Sequence, residues 1–221
     1  MERILEPELM DDEQQSVAYA EADFSTSNQL FVDSLVRDFP AHLRTVVDIG
    51  CGPADVVIRL AKAAPAASIT ALDGSAPMIA LARTAARAAG VDDRLTLVYT
   101  RIPGPPPASR SFDAVLSKDL LHHLPDPAVL WNEVKRLGRP GAAVYVMDLV
   151  RPESEDAARA MVEEGAGSED PILQRDFYNS LLAAFTMDEV RSQLSAAGLD
   201  MTVAPAGVRH MLISGILRSR T

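Results

Sequence analysis

From residue 44 onward the chain alternates short β-branched runs with longer alanine- and leucine-rich stretches, a pattern that predicts a mostly parallel sheet covered by helices. Thr45 to Ile49 reads as a first strand buried on both faces, and residues 55–64 as its crossover helix, ended before Pro65. Residues 68–72 form a second strand, followed by a helix that Ser75 caps and Gly90 ends. Further strands are predicted at 94–98, 112–117 and 141–147, with a helix at 127–137 capped by Asp126. The last third changes character: helices at 154–164, 173–184 and 187–197 precede two strands, 200–204 and 209–217. The short segment Pro205-Ala206-Gly207 suggests an antiparallel hairpin there. Two helices near 10–21 and 26–38 belong to no strand–helix pair, which makes them candidates for a lid. The resulting division is one domain over 1–221: a helical lid (1–40), a ligand-binding core (41–150), a helical insertion (151–186), and a closing helix with hairpin (187–221). The proline-rich stretch from Pro103 to Pro107 reads as a stiff spacer.

Composition narrows the function. At 221 residues and 48% hydrophobic content the chain can bury the core of one α/β unit. No apolar stretch approaches the roughly 18 residues needed to cross a bilayer, and the first residues lack the basic start and apolar run of an export signal. Cys51 is the only cysteine, which rules out an intrachain disulfide and any cysteine-built zinc site. A cytoplasmic location is expected. The net charge of −10 is uneven: residues 1–24 carry −7 and residues 153–170 carry −6, leaving +3 for the rest. Both acidic segments read as solvated helix faces. No dense basic run interleaved with aromatics appears, so a nucleic-acid partner is disfavoured and a small-molecule substrate is expected, with a homodimer as a possible assembly.

The residues joining the first strand to its helix, Asp48-Ile49-Gly50-Cys51-Gly52, form a glycine-rich turn of the kind that lets backbone approach a ligand beyond the carboxyl ends of the strands. A dinucleotide-binding loop needs a third small residue three positions after the second glycine, where Asp55 stands instead. A carboxylate there would repel a pyrophosphate and favour a cationic ligand. Asp73 follows Gly52 by 21 residues and ends the second strand, where an ionised carboxylate can accept from two vicinal hydroxyls.

With these residues in place, the run Val46 to Gly52 together with Asp73 resembles the class I S-adenosylmethionine (SAM)-dependent methyltransferases. Three further stretches fit that family in order: Asp73-Gly74-Ser75-Ala76-Pro77-Met78; Phe112 to Ser117 with Leu121-His122-His123-Leu124; and Arg139-Pro140-Gly141-Ala142. A weaker echo runs from Phe185 to Leu199. The resemblance implies a Rossmann-like, doubly wound, mostly parallel seven-stranded sheet with a C-terminal antiparallel hairpin and N-terminal lid helices. It implies SAM as cofactor, held by Asp48, Gly50, Gly52, Asp73, Gly74, Met78 and Ser117. Many members carry an acid after the third strand for the adenine amino group; this chain has Val98-Tyr99-Thr100-Arg101 there, so Thr100, Arg101 or backbone takes that place.

Methyl transfer from a sulfonium depends mainly on alignment and exclusion of water, with a base needed only for an acceptor that carries a proton. His122 and His123 follow the fourth strand and have the intrinsic pKa of a base, the alternative being packing and bracing of the loop. Asp148 ends the fifth strand and is placed either to bind a substrate amine or to pair with Arg151 at the surface. Tyr19, on the first lid helix, and Tyr178 are candidates to close on cofactor and substrate. A metal site drawn from His122, His123, Asp119 and Asp148 is not expected, because adjacent histidines usually point apart, and His210 reads as an ordinary strand residue. Cys51 reads as a packing residue. Two rival functions use the same loop: a SAM enzyme that breaks another carbon–sulfur bond, as a lyase or cyclase would, and a noncatalytic SAM-binding module.

Overall fold

A computed structural model describes residues 1–6, 12–104 and 110–218. Pro105 to Pro107 of the proposed spacer and the start of the first predicted helix lie outside the described residues. Seven strands form one sheet in the order β3-β2-β1-β4-β5-β7-β6. They are β1 (Thr45–Ile49), β2 (Ser68–Asp73), β3 (Leu95–Tyr99), β4 (Phe112–Lys118), β5 (Gly138–Leu149), β6 (Thr202–Ala206) and β7 (His210–Ile216). β1 to β5 run parallel, while β7 pairs antiparallel with both β5 and β6. The strand order reverses between β1 and β4, and ligands bind at such a switch point beyond the carboxyl ends.

Helices α1 (Glu13–Glu21), α2 (Ser25–Asp38), α3 (Asp55–Ala63), α4 (Ala76–Ala89), α5 (Ala128–Leu137), α6 (Glu155–Ala166), α7 (Pro171–Ala183) and α8 (Met187–Ala197) cover the sheet. Alternation along β1 divides the core. Val46 joins Phe31, Val57 and Ile69 on the face covered by α2 and α3, whereas Val47 and Ile49 join Leu130, Trp131 and Val190 under α5 and α8. The third cluster, with Leu149, Ala158 and Leu181, ties α6 and α7 to the end of β5. No helix among the described residues is long and apolar enough to cross a membrane.

Several expectations are corrected here. α2 is a core helix, because its Phe31, Val32 and Leu35 are fully buried; of the two N-terminal helices, α1 alone lies across the carboxyl edge, touching α4 and α7. Pro205 and Ala206 belong to β6, opposite Met211 and His210, and the hairpin turns after them. Proline is tolerated there because β6 is an edge strand and needs no outward N–H. Arg94 leaves β3 and donates instead to the Ala61 carbonyl at 2.5 Å. Ser75 and Gly90 cap α4 as expected, Ser75 accepting from Met78 N–H at 3.3 Å and Gly90 adopting φ +66°.

Candidate active site

The turn after β1 is built by left-handed backbone. Gly50 and Gly52 have φ of +78° and +52°, and the buried Ala54 repeats the conformation at +74°. The first is open to glycine alone for a second reason: a Cβ on Gly50 would lie 2.9 Å from both terminal carbons of Leu120. Gly50 and Cys51 both donate to the Leu72 carbonyl, at 2.8 and 2.9 Å, which folds the turn back onto the end of β2. Asp73 completes the clasp. One of its carboxylate oxygens accepts from Gly52 N–H and the other from Ser75 N–H, each at 2.8 Å. Gly74 lies between them, Met78 is buried one turn into α4, and Arg101 is exposed just beyond β3. Thr100 donates its N–H to the Asp73 carbonyl at 2.8 Å.

Asp48 is almost fully buried at the carboxyl end of β1, and its Oδ1 meets no hydrogen-bond partner among the described residues. Burial pushes its carboxyl up to about 7; the Asp73 charge adds to the rise and Lys118 partly offsets it. The Cys51 thiol is raised well above its usual range, chiefly by burial, so it remains an unreactive packing residue. Asp55, expected to face the ligand, turns away: Asn28 of α2 and Arg59 one turn on both donate to its Oδ2 at 2.8 Å. Ser117 is buried and spends its hydroxyl on the Ile49 carbonyl at 2.8 Å, bracing β1 against β4.

Tyr19 reaches the turn from α1. Its Cε1 lies 3.9 Å from the position a Cβ on Gly52 would take. Burial, with the charges of Asp119, Asp73, Asp148 and Asp55, drives its hydroxyl pKa above the ordinary range. Tyr178 is not brought to this edge. Its hydroxyl bonds Glu155 of α6 at 3.2 Å on the exposed surface, beside Arg159.

The loop after β4 carries the second half of the site. Asp148 is neither a surface partner of Arg151 nor an open amine ligand: it is buried, its Oδ2 accepts from Leu121 N–H at 2.7 Å, and its Oδ1 lies 2.8 Å from His122 Nδ1. Burial alone would lower the His122 pKa, but the Asp148 carboxylate outweighs it and the net shift is upward. His123 does not point away from its neighbour. The two imidazole centroids are 4.1 Å apart, and His123 Nδ1 forms an ion pair with Glu6 Oε2. Glu6 also accepts from the Ser180 hydroxyl at 2.7 Å; burial would raise its pKa, yet His123 draws it below the usual value. Arg151 is itself buried and pairs with Glu189 at 2.7 Å, also donating to the Ala184 carbonyl at 3.1 Å.

Three features escaped the sequence. Residues 1–6 form a strap over the loop: Arg3 donates to the carbonyls of Ala183, His122 and Leu124 at 2.5, 2.8 and 3.0 Å and stacks 3.8 Å over the Phe185 ring. Glu6, read as part of a solvated acidic segment, is thereby buried against His123. Finally, Lys118 and Asp119 form an ion pair at the end of β4, with His210 Nε2 3.2 Å from the other carboxylate oxygen. Burial opposes ionisation of Asp119, but Lys118 and His210 hold its carboxyl well below the usual range. A Lys-Asp pair at a strand's carboxyl end was the available signal.

Residues 46–141 match the methyltransferase domain family. The chain is 30% identical over 156 residues to 27-O-demethylrifamycin SV methyltransferase of Amycolatopsis mediterranei, covering 70% of this chain and 53% of that protein. The chain spans about half the length of the curated relatives it matches. Among solved structures, a SAM-dependent methyltransferase from Aquifex aeolicus superposes with a TM-score of 0.70 at 17% identity, over 92% of this chain and 98% of that one. The plantazolicin methyltransferase BpumL in complex with SAH gives 0.72 at 16% identity, over 95% and 91%. Residues 46–141 thus carry the match to the methyltransferase domain family, and the chain has the fold of the SAM-dependent methyltransferases.

The residues present fit SAM. The cofactor's ammonium suits the unpartnered, buried Asp48 oxygen, and its ribose hydroxyls suit the two-pronged acceptor Asp73, whose partners are backbone amides at the mouth of the turn. Glycine at 50 and 52 keeps the turn from adding side chains of its own to that approach.

Proposed function

We propose that this protein transfers a methyl group from SAM to a small-molecule oxygen or nitrogen acceptor. The observation that carries the reading is the pairing, on one sheet edge, of the Asp48–Gly52–Asp73 clasp with the buried Asp148–His122 pair. On this reading Asp48, Gly50, Gly52, Asp73, Gly74 and Met78 hold the cofactor, with Tyr19 closing over the turn. Arg101 lies at the adenine end, and Ser117 acts by bracing β1. When bound, SAM supplies a methyl on a sulfonium, already electrophilic.

The protein's own work is orientation and proton handling. Asp148 fixes the His122 ring and favours its protonated form, so that the other ring nitrogen can accept a proton from an acceptor. The strap, through Arg3, holds the carbonyls of His122 and Leu124 and so fixes the loop that carries that ring, which helps to exclude water. Relatives named 27-O-demethylrifamycin SV methyltransferase and ubiquinone biosynthesis O-methyltransferase support a small-molecule acceptor. We further read the protein as cytoplasmic and as acting without nucleic acid; light scattering would decide between a monomer and a homodimer.

The test is incubation with SAM and a metabolite extract, followed by mass spectrometry. S-adenosylhomocysteine with a product one methyl heavier is expected. Methylthioadenosine would assign the lyase-like alternative, and SAM binding without any product would assign the noncatalytic one.

A further inference from the structure

The cluster at the acceptor end of the edge has a composition that a general base alone does not require. A histidine base needs one ring and one orienting carboxylate, which His122 and Asp148 supply. The structure adds a second imidazole and a second carboxylate from the strap. One ligand-capable atom from each of Glu6, His122 and His123 lies within 4.8 Å of the other two. His122 is buried and His123 and Glu6 are largely so, in a region where uncompensated carboxylates are costly.

We propose that Glu6, His122 and His123 form a binding site for a divalent transition metal of the zinc–nickel–cobalt kind. Three features support this. Two imidazole nitrogens and one carboxylate oxygen form a borderline donor set, which suits these ions better than magnesium or calcium. The His122 Nδ1 is already committed to Asp148 at 2.8 Å, leaving Nε2 as the ligand, and a carboxylate behind a histidine is the usual support of a metal-bound ring. Third, the ion pair of His123 Nδ1 with Glu6 Oε2 already brings the strap carboxylate and the second ring to one point, where a cation can take the place of the shared proton. Donors on one ion stand about 3.3 Å apart for bonds of about 2.0–2.1 Å, so side-chain rotation must open the Glu6–His123 contact and draw in the donor that lies up to 4.8 Å away.

Three protein ligands leave a fourth tetrahedral position open, as in sites that bind substrate. With the ion bound, His122 Nε2 is a ligand and no longer a base, so the site selects an acceptor whose hydroxyl or phenol oxygen fills the open position and, acidified there, gives its proton to solvent. Because Glu6 comes from the strap and both histidines from the β4 loop, metal binding also fastens the strap across the loop. This inference rests on the methyl-transfer reading for its use in catalysis, but not for the binding itself.

The experiment uses the full chain, stripped of metal with a chelator and titrated with Co2+, Zn2+ and Mg2+ without SAM. One equivalent of Co2+, with the intense visible bands of a four- or five-coordinate ion, and its displacement by Zn2+ but not by Mg2+, are expected. Glu6→Gln and His123→Ala should each weaken binding about 100-fold or more, and Asp148→Asn about 10–100-fold. His42→Asn, remote on the 40–42 turn, should leave it unchanged. Should the variants misfold, pulsed electron paramagnetic resonance of Cu2+ on the unaltered chain counts its imidazole ligands, and two are expected. Substoichiometric binding, binding that survives both ligand substitutions, or an imidazole count other than two would overturn the proposal. A separate SAM titration keeps the two readings apart, since loss of metal binding with intact SAM binding refutes this site alone.

Discussion

Asp148 holds the His122 ring with one carboxylate oxygen and the Leu121 backbone with the other, at 2.8 and 2.7 Å, so a single buried side chain sets both the orientation of the imidazole and the path of its loop. Asp148→Asn retains the shape and loses the charge. Methyl transfer should fall by about 10²–10⁴-fold while SAM affinity stays within a few fold. The pH profile separates positioning from mere stability: the activity rise tracks loss of the His122 proton, and without Asp148 that rise should move to lower pH. An unshifted profile would remove His122 from the chemistry.

The same raised His122 pKa has a consequence for folding. A group that binds its proton more tightly when folded contributes stability that is complete below its unfolded pKa of about 6.5 and is lost as pH rises through the folded value. His122→Gln should therefore destabilise the protein more at pH 6 than at pH 9, as read by denaturant titration at both.

Arg3 is the keystone of the strap. Its three carbonyl contacts and its stacking on Phe185 are removed together in Arg3→Ala. A loss of about 2–4 kcal/mol is expected, because three carbonyls lose charged donors at a partly buried position. Turnover should drop without a matching change in SAM affinity, since the strap touches the His122 loop and not the Gly50–Gly52 turn. Equal losses in both would show that the strap supports the whole edge.

Gly50 tests the turn. Gly50→Ala must accept φ +78° and place a Cβ against Leu120, so a cost of about 1–3 kcal/mol and weakened SAM binding are expected. Adding Leu120→Ala removes the clash but not the strained backbone, and should restore only part of the stability. Full restoration would mean that φ is immaterial there.

The core of the fold was legible because its signals are local: β1 between Arg44 and the glycine turn, Ser75 and Gly90 at the ends of α4, and the order of strands and helices. The placement of Asp48 and Asp73 at strand ends, and of His122 in the loop after β4, was legible because the carboxyl edge of a strand is a position that sequence can mark. What failed was any contact made across the chain. Glu6 looked like one acid among many until the strap laid it on His123, more than a hundred residues away. Asp55 looked ligand-facing because its partner Asn28 sits on a helix whose packing the local pattern does not specify. Tyr178 was assigned by residue type alone, and the orientation of α7 sends it to Glu155.

Asp48 offers the most discriminating prediction, because it opposes folding and function. Its carboxyl, pushed up to about 7 mainly by burial, has no partner at Oδ1 among the described residues. A carboxyl whose pKa rises on folding is tolerated best when protonated; its favourable contribution is complete below about pH 4 and is lost as pH climbs to 7. Asp48→Asn removes that penalty and should raise stability at pH 8 by about 1–2 kcal/mol, or about 2–8 °C in Tm, while weakening SAM binding at least about tenfold. The cofactor's ammonium should do to the native carboxyl what the substitution cannot, favouring its ionised form. SAM binding at pH 6 is then expected to release close to one proton, and at pH 8 almost none. Calorimetry in two buffers of different ionisation enthalpy reads that number directly. Heats independent of buffer at pH 6 would mean that the cofactor's charge is met elsewhere, and that Asp48 serves the turn instead of the ligand.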